Sequence, residues 1–176
     1  MPRAAALLLL TTVTVIGCSG DPASLPPTPT THTAAPVISA AKLTTPWGCG
    51  YGFHVSDTGQ TVALMVEWSS DLRGDPATSI APSGPLSGGD WTAGLNLGHD
   101  LFANWCNDVI DPSTPEAVVD ESLEVVEGTL TLDGDLPEQG EVTAHLTGVV
   151  ARRADGSTVE LGDLDVSNPC WGCFAG

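Results

Sequence analysis

Two cysteines near the end of the chain, Cys170 and Cys173, have a spacing that is typical of thiol chemistry. Cysteines separated by two residues occur in redox sites and form one half of many zinc sites. A redox site of this kind needs a helix next to the motif to lower the thiol pKa, but only three residues follow Cys173 in this sequence. A zinc site needs a second ligand pair, but Cys49 and Cys106 are isolated. We therefore expect structural disulfides.

The four cysteines Cys49, Cys106, Cys170 and Cys173 can pair in three ways, and the sequence does not choose among them. In the chain-entropy treatment, a long loop between Cys49 and Cys106 is worth about 4 kcal/mol, and the short loop between Cys170 and Cys173 is worth roughly 2 kcal/mol. We favour this arrangement. The rival arrangement joins Cys49 to one of the two C-terminal cysteines. Either one requires an oxidising compartment.

Histidines are a second source of metal ligands. His54, His99 and His145 lie far apart in the sequence and lack the close ligand spacing of zinc sites. We expect His54 and His145 to be ordinary residues on polar strand faces, and we expect no metal and no cofactor. The alternative hypothesis is a metal-binding envelope protein that uses these histidines or the C-terminal cysteines.

A hydrolase is the third hypothesis, because Ser87, His99 and Asp100 are residue types that occur in catalytic triads. The glycine-rich segment 83–89 contains no Gly-x-Ser-x-Gly elbow, however. A group of acidic residues also misses the ligand spacing of an EF-hand calcium loop; it comprises Asp133, Asp135, Glu138 and Glu141. We therefore expect no catalytic residues and a protein that is not an enzyme.

A possible ligand face lies where polar side chains crowd around one tryptophan, close to Cys106. It comprises His99, Asp100, Asn104, Trp105 and Asn107. Small-ligand sites combine aromatic walls with a few polar groups, and this segment offers both. We expect most of the other tryptophans to lie in the core.

The charge balance excludes one class of partner. The chain carries 22 acidic against 5 basic residues, which gives a formal net charge of -17. Such a protein repels nucleic acids and anionic lipid headgroups. We therefore expect no nucleic-acid partner.

The N-terminus has the pattern of an export signal. Arg3 precedes an apolar run over residues 4–16, and this run is shorter than the roughly 20 residues that a membrane-spanning helix needs. The tetrad that follows, Val15-Ile16-Gly17-Cys18, resembles the lipobox of bacterial lipoproteins. The resemblance implies that residues 1–17 are a signal peptide and that Cys18 carries diacylglycerol. It also implies a location at the cell membrane, on the extracytoplasmic side.

Residues 18–46 are rich in Pro, Thr, Ala and Ser. Their prolines are spaced so that neither a helix nor a sheet can propagate, because proline fixes φ and lacks an N–H. We expect a disordered tether that starts at the lipidated Cys18 and spans tens of ångströms.

Residues 47–176 are predicted to form one β domain. Apolar residues alternate with polar ones at 62–68, 91–97 and 142–146, and turn signals recur at roughly ten-residue spacing. About seven such strands predict an all-β fold, an antiparallel two-sheet sandwich of the immunoglobulin-like kind, with a small β-barrel as the alternative. The apolar phase slips by one residue between Val125 and Val126, which predicts a bulge beside Gly128.

Anchor, tether and β domain together predict a lipid-anchored extracytoplasmic protein with a non-catalytic binding or structural role. The diacylglyceryl cysteine connects it to the membrane. The expected partner of the folded domain is an envelope protein or a wall polymer.

Overall fold

The computed structural model describes residues 38–48, 50–69, 80–103, 105–106, 112–136 and 139–173. After a short 3-10 turn, Ala40–Lys42, the strands are β1 (Thr45–Trp47), β2 (Gly52–Ser56), β3 (Val62–Trp68), β4 (Ser83–Pro85), β5 (Trp91–His99), β6 (Val118–Asp133), β7 (Gly140–Arg152) and β8 (Thr158–Trp171). The turns at 57–61, between β2 and β3, and at 153–157, between β7 and β8, contain Gly and Asp, which favour tight reversals.

The eight strands form one sheet in the order β1-β2-β3-β5-β6-β7-β8, with β4 added to β6, and neighbouring strands run antiparallel. The last strand returns to the first two, since β8 contacts β1 and β2 and Gly50 forms an isolated parallel bridge with Trp171. The sheet is therefore nearly closed into a barrel. The prediction of an all-β antiparallel fold is confirmed.

Inward-facing apolar side chains fill the interior. Leu64, Leu95 and Leu130 have no exposed surface, as expected where alternate residues of each strand point to one side. Phe53 of β2 stacks on Trp171 of β8 with ring centroids 5.2 Å apart. The two ends of the sheet thus share one aromatic contact inside the barrel.

A line of glycines bends the three longest strands. Gly128, Gly148 and Gly162 have φ values of 132°, 63° and 78°, in the region that favours glycine. The pairing of β6 with β7 shifts register on both sides of Glu127, so the predicted bulge beside Gly128 is confirmed. The backbone N–H of Gly148 donates to Asp163 Oδ1 at 2.8 Å, which fixes the bend between β7 and β8.

One buried side chain, Asn168 of β8, helps to close the barrel beside the backbone hydrogen bonds of Gly50 with Gly172 and Cys173. Its Nδ2 donates to the carbonyl oxygens of Gly50 (3.2 Å) and Gly52 (2.7 Å), and its Oδ1 accepts the N–H of Cys170 at 2.8 Å. A Cβ at position 48 would lie 2.2 Å from Asn168 Oδ1, so the close approach requires Gly48. Asn168 replaces ladder hydrogen bonds where the two edges of the sheet meet.

The described fold includes residues that the sequence analysis assigned to the tether. Ile38 and Leu43 are 8% and 6% exposed and belong to the core, and Pro46 lies in β1. Pro46 is tolerated because β1 is an edge strand, where a missing N–H need not break a ladder. The apolar residues Val37, Ile38 and Leu43 are the signal in the sequence that an edge strand begins near this point.

Replacing Asn168 with alanine should destabilise the fold by about 3 kcal/mol, because the buried carbonyl of Gly52 and the N–H of Cys170 lose their partners. Urea unfolding followed by circular dichroism measures the change. The control is Asn96→Ala on β5, where a half-buried amide accepts a surface hydrogen bond from Ser122; a loss below about 1 kcal/mol is expected there. Equal losses in the two variants would contradict the closing role of Asn168.

Candidate functional site

Strand β2 is buried on both faces, since every residue from Gly52 to Ser56 is buried. Phe53 and Val55 belong to the core of the barrel. The outer face of β2 carries His54 and Ser56, and the part of the chain that follows β5 covers it. We call residues 100–103, 105 and 106 the cover loop.

Four aromatic rings meet under the cover loop, and we call them the aromatic cluster: Trp47, His54, Phe102 and Trp105. The centroids of His54 and Trp105 are 4.5 Å apart in an edge-on arrangement. Phe102 lies 5.4 Å from Trp47 and 5.5 Å from Trp105. These distances are those of favourable aromatic pairs. Trp47 and Trp105 keep part of their surface exposed, so the cluster reaches the solvent.

His54 is a buried polar side chain without a normal hydrogen bond. It is 2% exposed, and neither ring nitrogen has a hydrogen-bond partner in the described part of the chain. The Nε1 atoms of Trp105, Trp68 and Trp91 are also buried without a hydrogen-bond partner in the described residues. Of these three, Trp105 is the one in ring contact with His54. Buried polar groups are almost always satisfied, and each unsatisfied one reduces stability by about 1–3 kcal/mol. Two neighbouring exceptions indicate a site that is not optimised for stability.

A carboxylate approaches His54 from β3. The distance from His54 Nε2 to Glu67 Oε1 is 3.5 Å, which is beyond a normal hydrogen bond. The interaction with the His54 ring lowers the pKa of Glu67, whereas partial burial of the carboxyl group acts to raise it. The Glu67 side chain is 51% exposed, so it forms a charged rim between the cluster and the solvent.

The tip of the β2–β3 hairpin holds the cover loop. The carbonyl of Gln60 accepts the N–H of Leu101 at 3.3 Å, and Gln60 Oε1 accepts the N–H of Phe102 at 3.2 Å. Cys106, at the other end of the loop, is disulfide-bonded. The loop is therefore fixed at both ends.

Backbone strain is concentrated around the same loop. Gln60, Asp100 and Cys106 have φ values of 52°, 53° and 55°, and they are the three non-glycine residues with positive φ in the described ranges. Such conformations raise the energy by about 1–3 kcal/mol each and cluster at ligand sites. The strain supports a functional role for the covered face of β2.

The predicted ligand face is only partly brought together. Trp105 lies in the aromatic cluster, whereas the His99 side chain is 68% exposed, with its Nε2 3.5 Å from Asp120. Asp100 starts the turn of the cover loop. Asn104 and Asn107 lie outside the described residues.

Sequence reasoning missed Phe102 as a member of the site. It considered Trp47 and His54 as candidate binding residues but did not group them with Trp105. The expectation that His54 lies on a polar strand face was wrong, because the cover loop buries that face. The signal was present at Leu101 and Phe102, two apolar residues in an otherwise polar segment. Apolar residues in a loop need a surface to cover, and β2 supplies it.

The other residues considered for chemistry are placed as follows. Cys170 and Cys173 form the expected disulfide, so neither thiol is free to bind a metal. The pairing of Cys49 with Cys106 stays a prediction, because Cys49 lies outside the described residues. His145 Nδ1 lies 2.7 Å from Asp165 Oδ1 on an exposed face of the sheet. In the described ranges, no three His, Cys, Asp or Glu side chains cluster as a metal site.

No protein-family model, curated protein or solved structure matches this chain. Within the ranges that the structure describes, no helix is long and apolar enough to cross a membrane.

Replacing His54 with phenylalanine should leave the free energy of unfolding unchanged or raise it by about 1 kcal/mol, because an unsatisfied polar ring gives way to an apolar one. Urea unfolding measures the effect. The control on the same face is Ser56→Ala: Ser56 Oγ accepts a hydrogen bond from Trp47 Nε1 at 2.9 Å, so about 1 kcal/mol should be lost. A loss above about 2 kcal/mol for His54→Phe would show that His54 has a structural role.

Acid should weaken the hairpin that holds the cover loop. Asp57 Oδ1 accepts the N–H groups of Thr61 and Val62 at 2.6 and 2.9 Å. Burial acts to raise the pKa of Asp57, but these hydrogen bonds outweigh it, so the pKa lies below its ordinary value. A lowered folded-state pKa gives stability that is present above the unfolded-state pKa and is lost as the pH falls through the folded-state pKa.

We therefore expect Asp57→Asn to reduce stability by about 1 kcal/mol at pH 7. The difference from the wild type should shrink as the pH falls below the ordinary aspartate pKa of about 3.9 and disappear below the lowered folded-state pKa. Urea unfolding between pH 7 and pH 2 measures it, with Asp133→Asn on the exposed end of β6 as the control. A difference that persists at pH 2 would contradict the charge-dependent part of this account.

Proposed function

We propose that this chain is a lipid-anchored extracytoplasmic protein whose β-barrel domain binds a partner without catalysis. The tetrad Val15-Ile16-Gly17-Cys18 supports the anchor, through its resemblance to the lipobox. The disulfide between Cys170 and Cys173 supports an oxidising compartment. The proline-rich segment that follows Cys18 supplies the reach that an anchored domain needs.

The observation that carries the binding role is the environment of His54. The chain buries an unpaired imidazole beside an unpaired Trp105 N–H and covers both with a strained loop. Each of these features lowers stability, and natural proteins retain such features where function requires them. Two half-exposed tryptophans lie at the border of the cluster, where a partner can contact them.

The negative charge of the protein limits which partners can bind at the aromatic cluster. The formal net charge is -17, and Glu67 lies at the rim of the cluster. A partner that approaches this surface must be neutral or cationic at its contact, because like charges oppose the encounter. A wall polymer with neutral sugars or an envelope protein with a basic surface meets this condition, and a nucleic acid does not.

A binding role is favoured over hydrolysis because the hydroxyl group on the same face as His54, that of Ser56, already has a hydrogen-bond partner. Ser56 Oγ accepts a hydrogen bond from Trp47 Nε1, and a nucleophile needs a base as its partner instead. The pair of His145 and Asp165 lies on a flat, exposed strand face, which offers no concave site for a substrate.

The anchor is tested with Cys18→Ala in the full chain, expressed in a bacterium that processes lipoproteins. Intact-mass spectrometry of detergent-extracted protein should show a wild-type chain that begins at a diacylglyceryl Cys18. The variant should lack the lipid and retain residues 1–17, because lipidation precedes cleavage. Ser19→Ala is the control and should be processed like the wild type. A wild-type chain with an unmodified Cys18 thiol would overturn the proposal.

A further inference from the structure

We propose that His54 and Met65 form a binding site for a soft monovalent metal ion, Cu(I), beneath the indole ring of Trp105. This inference rests on the proposed function in one respect: it takes the aromatic cluster as the binding site and names its ligand. It also revises the expectation from the sequence that the protein holds no metal.

Glu67 prepares His54 for metal binding. Neutral imidazole carries one N–H and one lone pair. Because Glu67 Oε1 lies 3.5 Å from Nε2, the carboxylate favours the tautomer with the proton on Nε2. Nδ1 then keeps its lone pair, and it has no hydrogen-bond partner in the described ranges. A carboxylate behind the distal nitrogen of a histidine is the usual support of a metal-binding imidazole.

Met65 supplies the second donor from the neighbouring strand. His54 and Met65 are direct partners in the β2–β3 register, so their side chains leave the same face and their Cβ atoms lie about 5 Å apart. Met65 packs at the border of the small cluster formed by Ala63, Leu101 and Phe102. Its sulfur accepts a hydrogen bond from Asn96 Nδ2 at 3.5 Å. Binding of the ion would exchange this contact for the metal, through rotation about the three side-chain bonds of Met65.

The donor set selects a soft ion. Thioether sulfur prefers Cu(I), and imidazole accepts it. The ring centroids of Trp105 and Phe102 lie 4.5 and 6.0 Å from that of His54, so an ion held by the imidazole would have aromatic neighbours that can stabilise a cation. Calcium and magnesium require six or more oxygen ligands, and structural zinc requires four ligands. The described residues offer no group of three His, Cys, Asp or Glu for these ions.

Charge favours a cation over an anion at this position. The formal net charge of -17 attracts cations to the whole surface, and Glu67 adds a carboxylate at the entrance. Cu(I) bound to two neutral donors keeps its positive charge, which Glu67 then offsets through His54.

The test uses the full-length protein in detergent, titrated anaerobically with Cu(I) in competition with the chromophoric chelator bicinchoninate. The wild type should remove one equivalent of Cu(I) from the chelator and show quenched tryptophan fluorescence. His54→Phe should weaken binding by more than about 100-fold, Met65→Leu by at least about 10-fold, and Glu67→Gln by about 10-fold. His145→Gln, on the exposed strand face, is the control and should bind like the wild type. Near-ultraviolet circular dichroism verifies that each variant is folded.

The proposal is overturned if the folded wild-type protein leaves all Cu(I) on the chelator, or if His54→Phe binds as tightly as His145→Gln. Retention of Zn²⁺ in preference to Cu(I) would also overturn it, because the donor set would then be a different one. These results are independent of lipidation: an unmodified Cys18 contradicts the anchored protein, whereas absent Cu(I) binding contradicts only the assignment of the ligand.

Discussion

The hydrogen bonds of Asn168 join two edges of the sheet that cannot pair by a regular ladder. β1 and β8 are the outermost strands, and each contains a proline that lacks a backbone donor. One buried amide instead satisfies the carbonyls of Gly50 and Gly52 and the N–H of Cys170. Because these contacts fix the start of β2 against β8, they also fix where the outer face of β2 lies. The aromatic cluster is built on that face.

Buried polar side chains have hydrogen-bond partners where the barrel closes but lack them at the aromatic cluster. At the closure, every polar atom of Asn168 has a partner, and the environment is fully buried. At His54, on β2, neither ring nitrogen has a hydrogen-bond partner among the described residues. The two buried polar side chains therefore differ in how fully their hydrogen bonds are satisfied. Unsatisfied groups in a natural protein occur more often at functional sites, which is why the proposed binding site is placed on the outer face of β2.

The alternation of apolar and polar residues was enough to predict the strands. It was not enough to predict that the cover loop packs on the outer face of β2. Alternation at 62–68 and 91–97 identified β3 and β5, and the slip beside Gly128 identified the bulge. The first residues of β6 were missed, because Asp120, Glu121 and Ser122 interrupt the apolar pattern. His54 was misassigned because alternation identifies a second face but not the distant segment that buries it. The contact between β2 and the cover loop spans about fifty residues, and no local pattern encodes it.

The attachment of the cover loop at both ends has a kinetic consequence. One end continues from β5 through the contacts with Gln60, and the other is held by the disulfide at Cys106. A segment tethered in this way can rise in the middle but cannot peel away, so entry and exit at the aromatic cluster need only a local fluctuation of a few residues. Such openings are faster and smaller than unfolding of the barrel. If the aromatic cluster binds the proposed ligand, the rate at which that ligand enters and leaves would depend on these local openings, whereas its affinity would depend on the residues beneath the loop.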